Sequence, residues 1–145
     1  MLAADIRVVA SGVKLGLSEV ALGLIPGMGG TDRLGRQLPP ELSAEFLLTA
    51  APRISDDLEH SGLVNRVVPK DKVLETAMGF ARIIATNAPL AVRAARDVIR
   101  KAGDLTKEEA LALESDHVAV LMATSDAREG PAAFMEKRAP VFQGR

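Results

Sequence analysis

Leu17-Ser18-Glu19-Val20-Ala21-Leu22-Gly23-Leu24-Ile25-Pro26-Gly27-Met28-Gly29-Gly30-Thr31-Asp32-Arg33-Leu34 runs from one carboxylate through an apolar stretch into a glycine-rich loop and a helix start. The loop, residues 26–30, needs unusual dihedrals in several places. Thr31 follows it and is placed to cap a helix through Asp32, Arg33 and Leu34. Two readings of Glu19 stand side by side. Enclosed by Leu17, Val20, Leu22 and Leu24, its carboxyl has a pKa raised by desolvation, as a general acid near neutral pH requires. Backbone N–H groups at Gly29-Gly30-Thr31 then polarise an oxygen or orient water. Alternatively, Glu19 is a surface carboxylate before a tight turn, since the glycine spacing is neither a Walker A nor a dinucleotide fingerprint.

Outward from this stretch, the pattern predicts short strands first and helices afterwards. Ile6, Val8 and Val9 are β-branched and Ser11-Gly12 makes a turn, so the start reads as strand, with a second extended piece at 13–17. Pro39-Pro40 ends the helix after the loop, and 41–49 is a further short helix. Ser55 is placed to cap the next one, with Asp56 and Asp57 in its first turn and Gly62 stopping it. Residues 63–68 read as a strand closed by Pro69. Val73, Leu74, Ala77, Met78, Ala81 and Ile84 then share one helical face, and Pro89 restarts a helix that continues to Gly103. Thr106-Lys107-Glu108-Glu109 is a capping box for a helix to about residue 123. Gly130-Pro131 divides it from a last helix at 132–138. A strand pair at the very start is marginal alone, so these strands read as the end of a sheet.

The chain of 145 residues has 48% apolar and 26% charged side chains, ordinary for one globular domain and unlike a disordered chain. Eighteen basic against nineteen acidic groups leave a formal charge of −1, without the cationic field of a nucleic-acid binder. No apolar run is long enough to span a membrane, and residues 1–10 lack the basic-then-apolar pattern of a secretory signal. With no cysteine, a cytoplasmic location is the expectation. Aromatics are only 3%, so the core is expected from Ala, Val, Leu, Ile and Met, and the mean hydropathy of +0.14 leaves room for an apolar surface facing a partner.

Elsewhere the residues are less suggestive. His60 and His117 have no ligand spacing around them, so no metal site is expected and both read as helix-surface histidines. No G-x-S-x-G is present for serine chemistry. Arg93, Arg96 and Arg100 share one helical face, suited to an anion, to solvent or to an acidic neighbour. Phe134, Lys137 and Arg138 cluster at the chain's end, either for a ligand or simply to dock the helix and complement its C-terminal end.

The quoted stretch resembles the signature of the enoyl-CoA hydratase/isomerase (crotonase) family. Further agreement lies in Arg53-Ile54-Ser55, Gly62-Leu63-Val64-Asn65-Arg66-Val67-Val68-Pro69, Asn87-Ala88-Pro89-Leu90-Ala91-Val92-Arg93, and Arg128-Glu129-Gly130 through Ala133-Phe134, Glu136-Lys137-Arg138, Pro140 and Phe142. The resemblance covers the whole chain in register, but only the second half of a family member. It implies an α/β, crotonase-like (ClpP/crotonase) fold in truncated form. Residues 1–70 would be the end of the β-spiral with the active-site loop, and 71–145 a helical trimerisation region.

By resemblance Glu19 matches the second catalytic glutamate, which supplies a proton to the substrate α-carbon during hydration of a trans-2-enoyl-CoA in fatty-acid metabolism. Gly27 matches a loop glycine beside that site. Phe134 and Lys137 match residues that reach the coenzyme A portion of a neighbouring subunit's ligand. The implied partners are an acyl-CoA substrate, further copies in a trimer or hexamer, and a separate polypeptide supplying the first half. No resident cofactor is implied, coenzyme A entering as part of the substrate. The family's first glutamate and both oxyanion-hole N–H groups belong to that first half, so these 145 residues alone are expected to be catalytically incomplete. Locally, Ala51-Pro52 stands where a Gly-Arg pair is usual, and the segment from Ser55 to Gly62 is one residue short. The alternative readings are isomerase-type chemistry and a non-catalytic assembly protein.

Overall fold

In the computed structural model, which describes residues 1–145, the elements follow in the order β1 (Val8–Ala10), β2 (Lys14–Leu15), α1 (Gly30–Gln37), α2 (Pro40–Leu48), β3 (Arg53–Ile54), β4 (Arg66–Val68), α3 (Val73–Ala85), α4 (Pro89–Lys101), α5 (Lys107–Met122) and α6 (Asp126–Met135). Short 3-10 turns at Glu19–Leu22, Ser55–Leu58, Lys70–Lys72 and Ala102–Asp104 complete the order. The strands are short and the rest is mainly helix. The residues divide into two compact units, Met1–Gly79 and Phe80–Arg145. No helix is long and apolar enough to cross a membrane.

In the first unit β1 runs parallel to β4, Val8 opposite Arg66 and Val9 opposite Val67, while β2 pairs antiparallel with β3. Each sheet has only two strands, so its stability comes from what packs on it. That is a core of Leu34, Leu38, Phe46, Leu58, Leu63 and Val64, on which Val9 and Val67 rest. Arg7 braces the entry to β1. Its guanidinium donates to the carbonyls of Leu63 at 2.7 Å and of Leu2 and Ala4 at 3.1 Å, and its N–H meets Asn65 Oδ1 at 2.8 Å.

Two expected caps take other roles. Thr31 lies inside α1, whose N-cap is Gly29, and its hydroxyl turns back to the Pro26 carbonyl at 3.0 Å. Gly29 adopts φ +82° there, which a residue with a Cβ reaches only at a cost, so glycine displaces threonine as the entry. Ser55 is fully buried and caps nothing. Its hydroxyl donates to the Ala10 carbonyl at 2.8 Å, so it joins the 3-10 turn to β1. Asp56 reaches the same corner, accepting from the Ser11 hydroxyl at 2.6 Å and the Gly12 N–H at 2.7 Å. Those bonds, the Ser11 hydroxyl foremost, hold its pKa below the ordinary carboxylate value. At the far end of α1, buried Ser43 donates towards the Leu34 and Leu38 carbonyls at 3.2 and 3.3 Å and satisfies the helix terminus.

In the second unit the capping box forms as expected. Thr106 Oγ1 accepts from the Glu109 N–H at 3.2 Å, and the Glu109 carboxylate accepts from the Thr106 N–H at 2.8 Å. A helix division at Gly130-Pro131 does not occur, because α6 starts at Asp126 and runs through both residues. Its first N–H groups are already satisfied, Ala127 by Thr124 Oγ1 at 3.1 Å and Glu129 by the Ser125 carbonyl at 3.0 Å. The proline then forfeits a single bond one turn further in.

Candidate active site

Glu19 opens a 3-10 turn closed by Gly23, which adopts φ +75° so that the chain reverses and the Leu24 N–H reaches the Glu19 carbonyl at 3.0 Å. One carboxylate oxygen of Glu19, Oε2, is buried and has no hydrogen-bond partner. Buried polar atoms are nearly always paired, so this oxygen is an exception that asks for a use. The apolar enclosure expected from Leu22 and Leu24 does not form. They are 76% and 63% exposed, and only Leu17 and Val20 are partly covered.

The glycine-rich loop is tightly specified. Met28 and Gly29 are both left-handed, at φ +53° and +82°, and the Met28 side chain is fully exposed. A Cβ at Gly30 would come within 2.8 Å of Pro26, and one at Gly29 within 2.4 Å of the Arg33 guanidinium, which donates to the Met28 carbonyl at 2.8 Å. The loop uses its own donors. The Gly30 N–H is bonded to the Gly27 carbonyl at 3.0 Å and the Thr31 N–H to the Pro26 carbonyl at 3.2 Å. Two of the three N–H groups expected to polarise a substrate oxygen are therefore spent on holding the loop's shape. A cavity of about 330 Å³ lies behind the loop, bounded by Leu17, Gly27, Gly29, Arg33, Phe46 and Leu63. Gly27 faces it, whereas Glu19 does not line it.

The other two candidates lie in the second unit. Phe134 is 81% exposed near the end of α6. Lys137 falls just beyond the helix, at φ +55°. Its N–H bonds the Phe134 carbonyl at 3.2 Å, and the Arg138 N–H bonds the Ala133 carbonyl at 3.0 Å. This is a Schellman ending with lysine in the position that usually takes glycine, at a cost of roughly 1–2 kcal/mol. Arg138 is held apart from Lys137 by two carboxylates: it meets Glu129 in a fork at 2.6 and 2.9 Å and Glu136 at 2.6 Å.

Several groups that organise the second unit carry no local signal in the sequence. Glu129 also accepts from the Val141 N–H at 2.7 Å, and buried Asp126 accepts from the Gln143 and Gly144 N–H groups at 2.8 Å each, so the last residues fold back along α6. His117 is a half-buried latch rather than a surface residue, its Nε2 at 3.0 Å from Asp97, which also takes Lys101 at 2.9 Å. These long-range pairs become visible only when the helices are packed. No group of three or more His, Cys, Asp or Glu side chains is gathered as a metal site would need.

The Arg138 fork, then the Val141 N–H, pulls the Glu129 carboxyl from 4.5 to about 2. A group whose folded pKa is depressed adds stability above its unfolded value and loses it as pH falls towards the folded one. The melting-temperature gap between the native chain and Glu129→Gln is therefore expected to be constant above pH 4.5 and to shrink from there towards about 2. Thermal melts across an acid series check this, and a gap unchanged to the acid limit would contradict it.

Residues 1–145 match the family model described as "Enoyl-CoA hydratase/isomerase". The chain is 36% identical over 141 residues to the 2,3-dehydroadipyl-CoA hydratase of Escherichia coli (strain K12), covering 97% of this chain and 55% of that protein. It is 36% identical over 148 residues to the carnitinyl-CoA dehydratase of Salmonella typhi, covering 99% and 57%. The crystal structure of the enoyl-CoA hydratase from Bacillus anthracis superposes with a TM-score of 0.95 at 36% identity, over 99% of this chain and 56% of that one. The chain thus spans about half the length of the curated relatives it matches.

Proposed function

Because this chain belongs to the enoyl-CoA hydratase/isomerase family and has the crotonase-like fold, we propose that it serves the hydration of a trans-2-enoyl-CoA thioester, with Glu19 as the proton donor. The observation that carries this reading is the buried, unpartnered Oε2 of Glu19, a few residues before the glycine-rich loop in the chain. In the reaction the oxygen of water bonds to the β-carbon and Glu19 delivers a proton to the α-carbon, so that the C–C double bond becomes a single bond. A second carboxylate takes the proton that the water loses. The thioester oxygen, which gathers charge in between, needs fixed N–H donors.

The Gly30 and Thr31 N–H groups are committed within the loop, so the oxyanion donors, like the second carboxylate, are supplied by the part of the relatives that lies outside these 145 residues. Gly27 shapes the loop beside the reacting atoms. Phe134 and Lys137 face the coenzyme A portion, Lys137 as a mobile point charge for a phosphate. The chain works as a homo-oligomer, a trimer or hexamer. Val118, Val120 and Met122 on α5, 51–69% exposed, support that assembly and also favour a second reading as a non-catalytic assembly protein.

Co-expression with a polypeptide spanning the first half of a relative, and purification through a tag on one piece, tests the proposal. The two pieces are expected to co-purify and to bind coenzyme A, with Lys137→Ala weakening affinity about tenfold, the scale of one charge-assisted hydrogen bond. Pieces that never associate would rule out the two-piece enzyme. Association without coenzyme A binding or turnover would favour the assembly role.

A further inference from the structure

Among the cations at the end of α6, Arg138 is saturated and Lys137 is bare. Glu129 and Glu136 both spend their carboxylates on Arg138, whose planar fork fits them better than an ammonium would. The Lys137 side chain meets no carboxylate, although Glu136 is its neighbour in sequence. Glu129 does more than neutralise Arg138, since its Oε1 also takes the Val141 N–H at 2.7 Å. It therefore pins the chain on the C-terminal side of Lys137, while the Schellman bonds pin the helix side. Between these two grips Lys137 is left in the left-handed region at φ +55°.

We propose that Glu129 is the positioning residue for Lys137, holding its backbone left-handed and its ammonium uncompensated so that it can meet an anionic group such as a phosphate. The inference rests on the reading of Lys137 as a coenzyme A contact, and it makes that contact depend on a carboxylate one helical stretch away. The Glu129 carboxylate is itself committed to Arg138 and the Val141 N–H. Its effect is exerted through Arg138, the Val141 amide and the backbone they hold.

The test uses the 145-residue chain for the backbone readout and its co-purified complex with the first half of a relative for the affinity, each with three variants, Glu129→Gln, Lys137→Ala and the double substitution, and with Arg138→Lys as a milder break of the same fork. Backbone scalar couplings and chemical shifts read the φ of Lys137 directly, and titration with coenzyme A reads affinity. Glu129→Gln is expected to move Lys137 out of the left-handed region and to weaken coenzyme A binding, but to add nothing once Lys137 is alanine. Arg138→Lys should shift both readouts in the same direction. A Lys137 φ that stays left-handed in both variants overturns the proposal. An affinity loss from Glu129→Gln that persists in full in the Lys137→Ala background also overturns it, since Glu129 would then act on the fold at large. A displaced φ together with an affinity that Lys137→Ala leaves unchanged upholds the positioning role and refutes the coenzyme A reading instead.

Discussion

Crotonyl-CoA incubated with a polypeptide of these 145 residues alone is expected to keep its enoyl-thioester absorbance, even at stoichiometric protein. With the companion half present, hydration should appear and then fall about 10²–10⁴-fold on Glu19→Gln, the usual share of a positioned acid. The proposed addition uses one carboxylate to activate water and another to protonate carbon, and the Gly30 and Thr31 N–H groups are already bonded inside their own loop. A missing oxyanion donor alone costs about 10²–10³ in rate. Glu19→Gln keeps the shape of the side chain and replaces a carboxylate whose buried oxygen lacks a partner with a neutral amide, so the melting temperature should hold or rise while activity falls. Turnover by the chain alone that vanishes in Glu19→Gln would show that these residues rebuild a complete site by themselves.

Leu34→Ala is the substitution expected to damage the fold most. Leu34 is 1% exposed and sits on α1, directly behind the loop, in a core of six buried side chains. Removing three carbons from such a site costs about 2–5 kcal/mol, in lost burial and in the cavity left behind. That is a large share of the 5–15 kcal/mol that holds a typical domain. Leu34 also borders the cavity on the loop side, so the damage should loosen Gly27 and Gly29 as well. The denaturant midpoint of Leu34→Ala is expected to fall steeply. Leu48→Ala, at a leucine 74% exposed on α2, should change stability by no more than about 0.5 kcal/mol. Equal midpoints for the two variants would mean that the core described above does not carry the unit.

What the sequence discloses depends on how far apart the interacting residues lie. The capping box at Thr106 and Glu109 is legible because both halves sit within one turn, and Pro39-Pro40 marks a helix boundary because proline's limits are its own. Thr31 and Ser55 mislead for the opposite reason. Each is a good cap by type, yet Gly29 supplies a left-handed entry before Thr31, and Ser55 is drawn to a carbonyl 45 positions away. Gly130-Pro131 reads as a break only while the satisfied first turn at Ser125 and Thr124 is out of view. The candidate site is reached through family resemblance at Glu19, Gly27, Phe134 and Lys137. The fork of Glu129 on Arg138 and the return of the tail to Asp126 depend on packing that no local pattern encodes.

The parallel pairing of β1 with β4 also sets the order in which this chain can assemble. Its partners are 58 positions apart, as Arg7 and Asn65 are, whereas Asp97 and His117, which join α4 to α5, are separated by 20. Closing the longer loop costs about 1 kcal/mol more entropy on a logarithmic scale. During synthesis β1 emerges well before β4, and this pairing cannot form until Val68 has emerged. High contact order slows folding, and the first unit closes on longer reaches than the second. The Gly-rich loop lies inside the span that the β1–β4 pairing closes, although its own bonds, Gly30 to Gly27 and Thr31 to Pro26, are local.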